Sequence, residues 1–355
     1  MFRSVRYAAL ITLMSGAGAV VQAQWSPQHS GTDASFRGMS IVNPQVIWTS
    51  GTKGTFGWTS DGGKQWHPGQ VPGAEKYDFR AVHAFSLDTA VLMVSSQDTA
   101  LIYRTTNRGQ TWTVRYRDAS KGAFLDALAF FDSSHGLAAG DPVDGHFVFL
   151  QTSDGGLSWT QVLQSSVPPS LPGEGAFAAS GTALVTCGPK DAWLGTGGAA
   201  RSRVFHSADG GRTWSVADTP IQAGAAPAGI FSLACPDARH IIAVGGNYAR
   251  PDASHVTVAS SDDAGASWAA SAPAPSTGFL SGVAYLRRGD GRELIAVGTE
   301  GSAFSLDLGH SWSSMDKLSL NVVMAAANGA AWAAGAHGVV TVLGALRSGV
   351  NVRNR

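Results

Sequence analysis

Asp residues, and once an Asn, recur along this chain at a nearly constant interval, each followed by a glycine and then a tryptophan. Thr59-x-Asp61-x-Gly63-x-Gln65-Trp66 returns as Thr105-x-Asn107-x-Gly109-x-Thr111-Trp112 and as Thr152-x-Asp154-x-Gly156-x-Ser158-Trp159. It returns again as Ser207-x-Asp209-x-Gly211-x-Thr213-Trp214, Ser261-x-Asp263-x-Gly265-x-Ser267-Trp268 and Ser305-x-Asp307-x-Gly309-x-Ser311-Trp312. A carboxylate in such a setting can bind a cation or a ligand. The pattern favours a structural chemistry instead. Asp or Asn accepts backbone N–H groups a few residues on, Gly supplies a positive φ, and Ser or Thr adds a local hydroxyl bond. The Trp buries a large ring beneath the turn or between neighbouring sheets. Each repeat therefore reads as a hairpin clamp.

Outside the clamps, polar residues gather in three loops: Gly140 to His146, Gly197 to Arg203 and Gly246 to Asp252. Asp141, Asp144, His146, Arg201, Arg203, Tyr248 and Arg250 are the residues there that could bind a partner. Glu174 joins them from the Pro-rich connection Ser165 to Phe177. Loops on a rigid scaffold commonly carry function. Arg37, Arg80 and Asp126 follow apolar strand starts and are placed to face a central channel. Asp78 and Arg80 flank Phe79, share a strand face and can pair. Glu174 with Asp141 or Asp144 is the pair of carboxylates a glycosidase would need across a cleft. No catalytic residue is assigned. The ten histidines show no ligand spacing, and no His-Glu-x-x-His, Cys-x-x-Cys, Gly-x-Ser-x-Gly or phosphate-cradling loop occurs, so neither a metal nor a cofactor is implied.

The elements that would hold these residues follow from composition and period. The 355 residues include 44 Gly and 15 Pro, and 44% are hydrophobic, which suits many short strands joined by tight turns and excludes a disordered chain. Intervals of 46, 47, 55, 54 and 44 residues between the Asp/Asn positions match one four-stranded propeller blade each. Seven runs of three strands begin near Phe36, Phe79, Phe124, Phe177, Phe231, Phe279 and Leu320. Only six clamps exist, and Trp25-Ser26-Pro27 stands where the seventh outer strand is missing. The reading is an all-β, seven-bladed propeller closed by its N-terminal strand, with six blades as the alternative.

The clamp resembles the Asp box, or bacterial neuraminidase repeat, over nearly the whole chain. Among such propellers the sequence is most similar to the photosystem II stability/assembly factor group and its relatives in non-photosynthetic bacteria. That resemblance implies a scaffolding or biogenesis role at a membrane surface. Sialidases share the box but carry an Arg-Ile-Pro segment ahead of the first one. Here Phe36-Arg37-Gly38-Met39 is the nearest approach, and it lacks the Ile and the Pro. The expected function is an exported, non-catalytic propeller that binds a protein or glycan partner, with a secreted, sialidase-like glycoside hydrolase as the alternative.

Arg3 and Arg6 precede the apolar run Tyr7 to Val21 and the segment Val21-Gln22-Ala23, which reads as a signal peptide over residues 1–23. Residues 24–355 then form one propeller domain, periplasmic or secreted, expected to act as a monomer. With 25 basic and 25 acidic residues the chain lacks the positive footprint of a nucleic-acid binder. No second apolar run is long enough to span a membrane. Export places Cys187 and Cys235, the two cysteines of the chain, where disulfides persist. Each sits near the end of the first strand of its own blade, in consecutive blades, so a disulfide between them is expected. Two free buried thiols are the alternative.

Overall fold

The structure, a computed structural model, describes residues 24–251, 255–271, 278–289 and 291–344. The leader assigned to residues 1–23 and the loop residue Asp252 lie outside the described residues.

Seven four-stranded antiparallel sheets form a ring. The blades run from Phe36 to Gln70, Phe79 to Asp118, Ala127 to Gln161, Leu184 to Thr219, Ala228 to Ala270 and Gly282 to Asp316. The seventh combines Val322–Ala325, Ala331–Ala334 and Val339–Leu343 with the N-terminal strand Trp25–His29. The inner strand of each blade touches the inner strand of the next, and that of the seventh returns to the first. The only helical turn among the described residues is the 3-10 segment Gln164–Ser166.

Burial explains the strand pattern. Inner strands are covered on both faces by neighbouring blades, so Ala228–Ala234 is buried at every position. Outer strands keep one face in water, so Thr113–Asp118 alternates between exposed and half-buried positions.

The clamps hold the blades together. In the first, the Thr59 hydroxyl donates to Asp61 Oδ1 at 2.8 Å while the Gly63 and Gln65 N–H groups donate to Thr59 Oγ1 and Asp61 Oδ1, each at 3.0 Å. Gly63 has φ +87°, a conformation glycine adopts without a Cβ penalty. At the fourth clamp, Trp214 Nε1 donates to the Gly211 carbonyl at 3.0 Å, and its ring stacks at 3.9 Å on Phe149 of the preceding blade. Trp112 likewise meets Phe56 of the blade before it, at 5.2 Å. Asn107 replaces the acid in the second clamp and reverses one bond, its amide donating to Thr111 Oγ1 at 2.9 Å.

Ring closure pairs Trp25 with Leu343 and His29 with Val339. Gln28, on the same strand, accepts from Trp66 Nε1 at 3.1 Å and donates to the Gly62 carbonyl at 3.0 Å. The N-terminal strand thus ties the seventh blade to the first clamp. A disulfide joins Cys187 to Cys235 across the fourth and fifth blades, with the Cα atoms 6.2 Å apart.

Two sequence readings of strand position shift. The aromatic residues Phe124, Phe177 and Phe279 precede their inner strands, which begin at Ala127, Leu184 and Gly282. The segment Gly140 to His146 is mostly hairpin: one strand runs on to Val143 past a bulge at Asp141, and the next starts at His146. Asp144 and Gly145 form the two-residue turn, at φ +50° and +79°.

Candidate functional site

On the face opposite the clamps, the inner ends of all seven blades surround an axial cavity of about 630 Å³. Arg37 and Arg80, on the first strands of blades one and two, form one arc of its wall, and Asp126 and Asp141 of blade three continue it. Phe177, Phe231, Tyr248 and Phe279 form the other arc.

The aromatic arc is a connected stack. Phe177 and Phe231 lie face to face at 3.9 Å, Phe279 meets Phe231 edge-on at 4.7 Å, and Tyr248 stands 6.0 Å from Phe231. Tyr248 is exposed at the rim. In the sequence these phenylalanines read as strand starts. Their recurrence just ahead of or within inner strands is the signal that they gather at the axis.

The basic arc is partly committed. Arg80 donates to the Ala178 carbonyl at 3.1 Å and to Asp78 Oδ2 at 3.2 Å, the pairing expected from their shared strand face. Burial, reinforced by neighbouring Arg80, lowers the Arg37 guanidinium from 12.5 to about 10, and Asp78 opposes the drop. The Nε atoms of both arginines are buried without a hydrogen-bond partner.

The acidic arc is unusual. Asp126 is buried, and its Oδ2 has no partner. Burial, with Asp141 beside it as the lesser cause, pushes its carboxyl well above the ordinary carboxylate range. Asp141 is also raised by burial, an effect the Ala176 N–H opposes by donating to its Oδ1 at 3.1 Å.

The remaining loop residues divide sharply. Glu174 and Arg203, which the sequence presents as solvated loop charges, are buried against each other. Arg203 donates through Nε to Glu174 Oε1 at 2.9 Å and through a second nitrogen to Oε2. Thr196 Oγ1 and the Leu171 N–H donate to the same carboxylate at 2.6 and 2.8 Å, and Arg203 also reaches the Pro169 carbonyl at 3.0 Å. The pair is a latch that pins the 165–177 connection to blade four. Glu174 therefore offers no free carboxylate to Asp141 or Asp144, which removes the carboxylate pair drawn from the sequence. Arg201 forms an exposed pair with Asp218 at 2.7 Å. Asp144 and Arg250 are exposed, and His146 Nδ1 contacts the Asp144 carbonyl at 3.3 Å. None of Asp144, His146, Arg201 and Arg250 lines the cavity.

The clamp acids are spent on their turns. The Ser158 hydroxyl, donating at 2.6 Å, is the main cause holding Asp154 at about 2. Among the described residues no group of three or more His, Cys, Asp or Glu is arranged to hold a metal ion, and no helix is long and apolar enough to cross a membrane.

No known sequence family and no curated protein sequence matches the chain. Solved structures do match its fold. YCF48 bound to D1 peptide is 15% identical with a TM-score of 0.64, over 91% of this chain and 99% of that one. YCF48 from Cyanidioschyzon merolae is 16% identical with a TM-score of 0.63, over 90% and 98%. The GH74 xyloglucanase from Xanthomonas campestris is 14% identical with a TM-score of 0.60, over 90% of this chain and 53% of the enzyme. These likenesses define the class as a seven-bladed β-propeller related in fold to YCF48.

Proposed function

We propose that this chain is an exported, non-catalytic propeller that binds a segment of a protein partner in its axial cavity and acts as a scaffold or assembly factor. The observation that carries this reading is the cavity itself. One arc of its wall carries Arg37 and Arg80, and the facing arc carries connected aromatic rings. Guanidinium groups suit carboxylates, and aromatic rings suit apolar side chains. One fold neighbour, YCF48, is bound to D1 peptide, which agrees with a peptide as the occupant here. Export is supported by the leader-like first residues and by the disulfide, which is rare in reducing compartments. The test is peptide-array binding by the wild type and by an Arg37→Gln, Phe231→Ala variant. Selective peptide binding that the variant loses supports the reading. Binding that the variant retains, or none at all, overturns it.

A second reading, a secreted glycoside hydrolase, draws on one observation: two carboxyl groups, Asp126 and Asp141, share the cavity wall. Hydrolysis of aryl glycosides or xyloglucan oligosaccharides, abolished by Asp141→Asn, would replace the binding reading.

A further inference from the structure

We propose that Asp126 and Asp141, together with the aromatic arc of the same cavity, form a subsite for a cationic side chain, an arginine or lysine of the bound protein segment. The proposal rests on reading the axial cavity as a peptide site and adds the chemistry of one position within it.

Three observations lead there. First, the acids are not neutralised from within. Among the described residues neither forms an ion pair, and Arg80, in the same cavity wall, is engaged by Asp78 and the Ala178 carbonyl. Arg37 responds electrostatically to Arg80 and Asp78, with no carboxyl of blade three among the causes of its shift. Second, Asp126 is buried to 1% exposure in the cavity wall, yet its Oδ2 makes no hydrogen bond. A buried carboxyl without a partner is costly, and an incoming donor relieves that cost. Third, the arc beyond the acids is built from Phe177, Phe231, Tyr248 and Phe279. Ring faces attract cations, so an ammonium or guanidinium between the rings and the acids is favoured from both sides.

Asp126 is expected to hold a proton in the unliganded cavity, because burial first and the neighbouring Asp141 second disfavour its ionised form. Cation binding then converts this carboxylic acid to a carboxylate and releases that proton to solvent. Affinity for a cationic probe therefore rises with pH through the titration of Asp126 and falls on acidification. The other titratable groups in the wall are Arg37, Arg80 and Tyr248. Asp78 stands beside Arg80, and the Glu174–Arg203 pair lies in the neighbouring blade-four latch. Arg37, at about 10, keeps its charge at neutral pH.

The test uses calorimetry on the oxidised protein with three probes: acetyl-Phe-Arg-amide, its neutral isostere acetyl-Phe-citrulline-amide, and acetyl-Phe-Ala with a free carboxylate. The expected result at pH 8 is a preference of about tenfold or more for arginine over citrulline. That preference should shrink at pH 5.5, and comparing buffers of different ionisation heat should reveal a released proton. Asp126→Asn and, independently, Asp141→Asn should remove both the preference and the proton release while leaving the free-acid probe bound. Asp141→Asn retains an oxygen for the Ala176 N–H, so it remains informative should Asp126→Asn fail to fold. Equal affinity for arginine and citrulline, or a preference that survives in the folded variants, overturns the cation subsite. If the free-acid probe still binds in that case, the peptide-site reading stands. If no probe binds, both fall.

Discussion

Trp25 Nε1 donates to Ser302 Oγ at 3.0 Å, across a sequence separation of 277 residues. Trp25 is buried and belongs to the outer strand of blade seven, whereas Ser302 lies in blade six. A ring that reaches back to the preceding blade is what Trp112 and Trp214 provide at their clamps. Trp25 thus fills that role in the one blade without a clamp.

Trp25→Ala should cost about 3 to 5 kcal/mol, the usual range for deleting a buried aromatic ring. Deleting residues 24–35 should lower the melting temperature further by exposing an unpaired edge. Scanning calorimetry checks both, and an unchanged midpoint in the truncated protein would show that closure contributes nothing.

The Glu174–Arg203 latch should behave unlike the exposed charges around it. Removing either partner leaves an uncompensated buried charge, so Glu174→Ala or Arg203→Ala should each destabilise by about 3 to 5 kcal/mol. Asp144→Asn, which keeps a residue suited to the positive φ there, Arg201→Ala and Arg250→Ala should stay within about 0.5 kcal/mol. Urea titration separates the two groups, and similar midpoints for all five variants would contradict the burial argument.

The Cys187–Cys235 bridge closes a loop of sequence separation 48. Chain entropy alone assigns such a loop about 4 kcal/mol. The double Cys→Ser variant should therefore unfold at distinctly lower denaturant. Mass spectrometry after alkylation without reduction checks the bridge itself, and two alkylated thiols would refute it.

His83 sits between Phe85 and Phe130, with ring centroids at 4.8 and 4.5 Å. Burial lowers its imidazole from 6.5 to about 4. The unfolded chain therefore binds a proton more readily between those values. The stabilisation from neutral His83 is complete above pH 6.5 and disappears as the pH falls toward 4, with an upper bound of about 3 kcal/mol. Asp126 acts in the opposite sense, because a raised carboxyl gives stability that is lost as pH rises through its folded value. The comparison that isolates His83 is wild type against His83→Leu. Wild type should lose stability relative to His83→Leu on acidification, and a constant difference from pH 7 to 4 would refute the assignment.

Blade number and ring closure are legible in the sequence because each clamp marks the same turn, so six clamps and one unpaired Trp25 report the whole ring. The Asp78–Arg80 pair is legible for the same local reason, since residues two apart on a strand share a face. The latch is not. Glu174 and Arg203 are 29 residues apart in segments that look like solvated loops, and nothing local records that the connection folds inward. The cavity is half legible: Arg37, Arg80, Asp126 and Asp141 stand out by type and position, but Asp141 reads as a loop residue because Pro142 hides a bulged strand. The aromatic arc escapes a linear reading because each phenylalanine also makes sense as a strand start, and only the ring brings them together.

The pairing of Trp25–His29 with Val339–Leu343 also shapes how the propeller is built during synthesis. The first strand of the ring has no hydrogen-bonding partner until the last strand has been made. Six blades can assemble in order as the polypeptide lengthens, but the seventh joins segments from opposite ends of the ring. Completion of the circle is therefore a late, non-local step, governed by the entropy of bringing distant segments together.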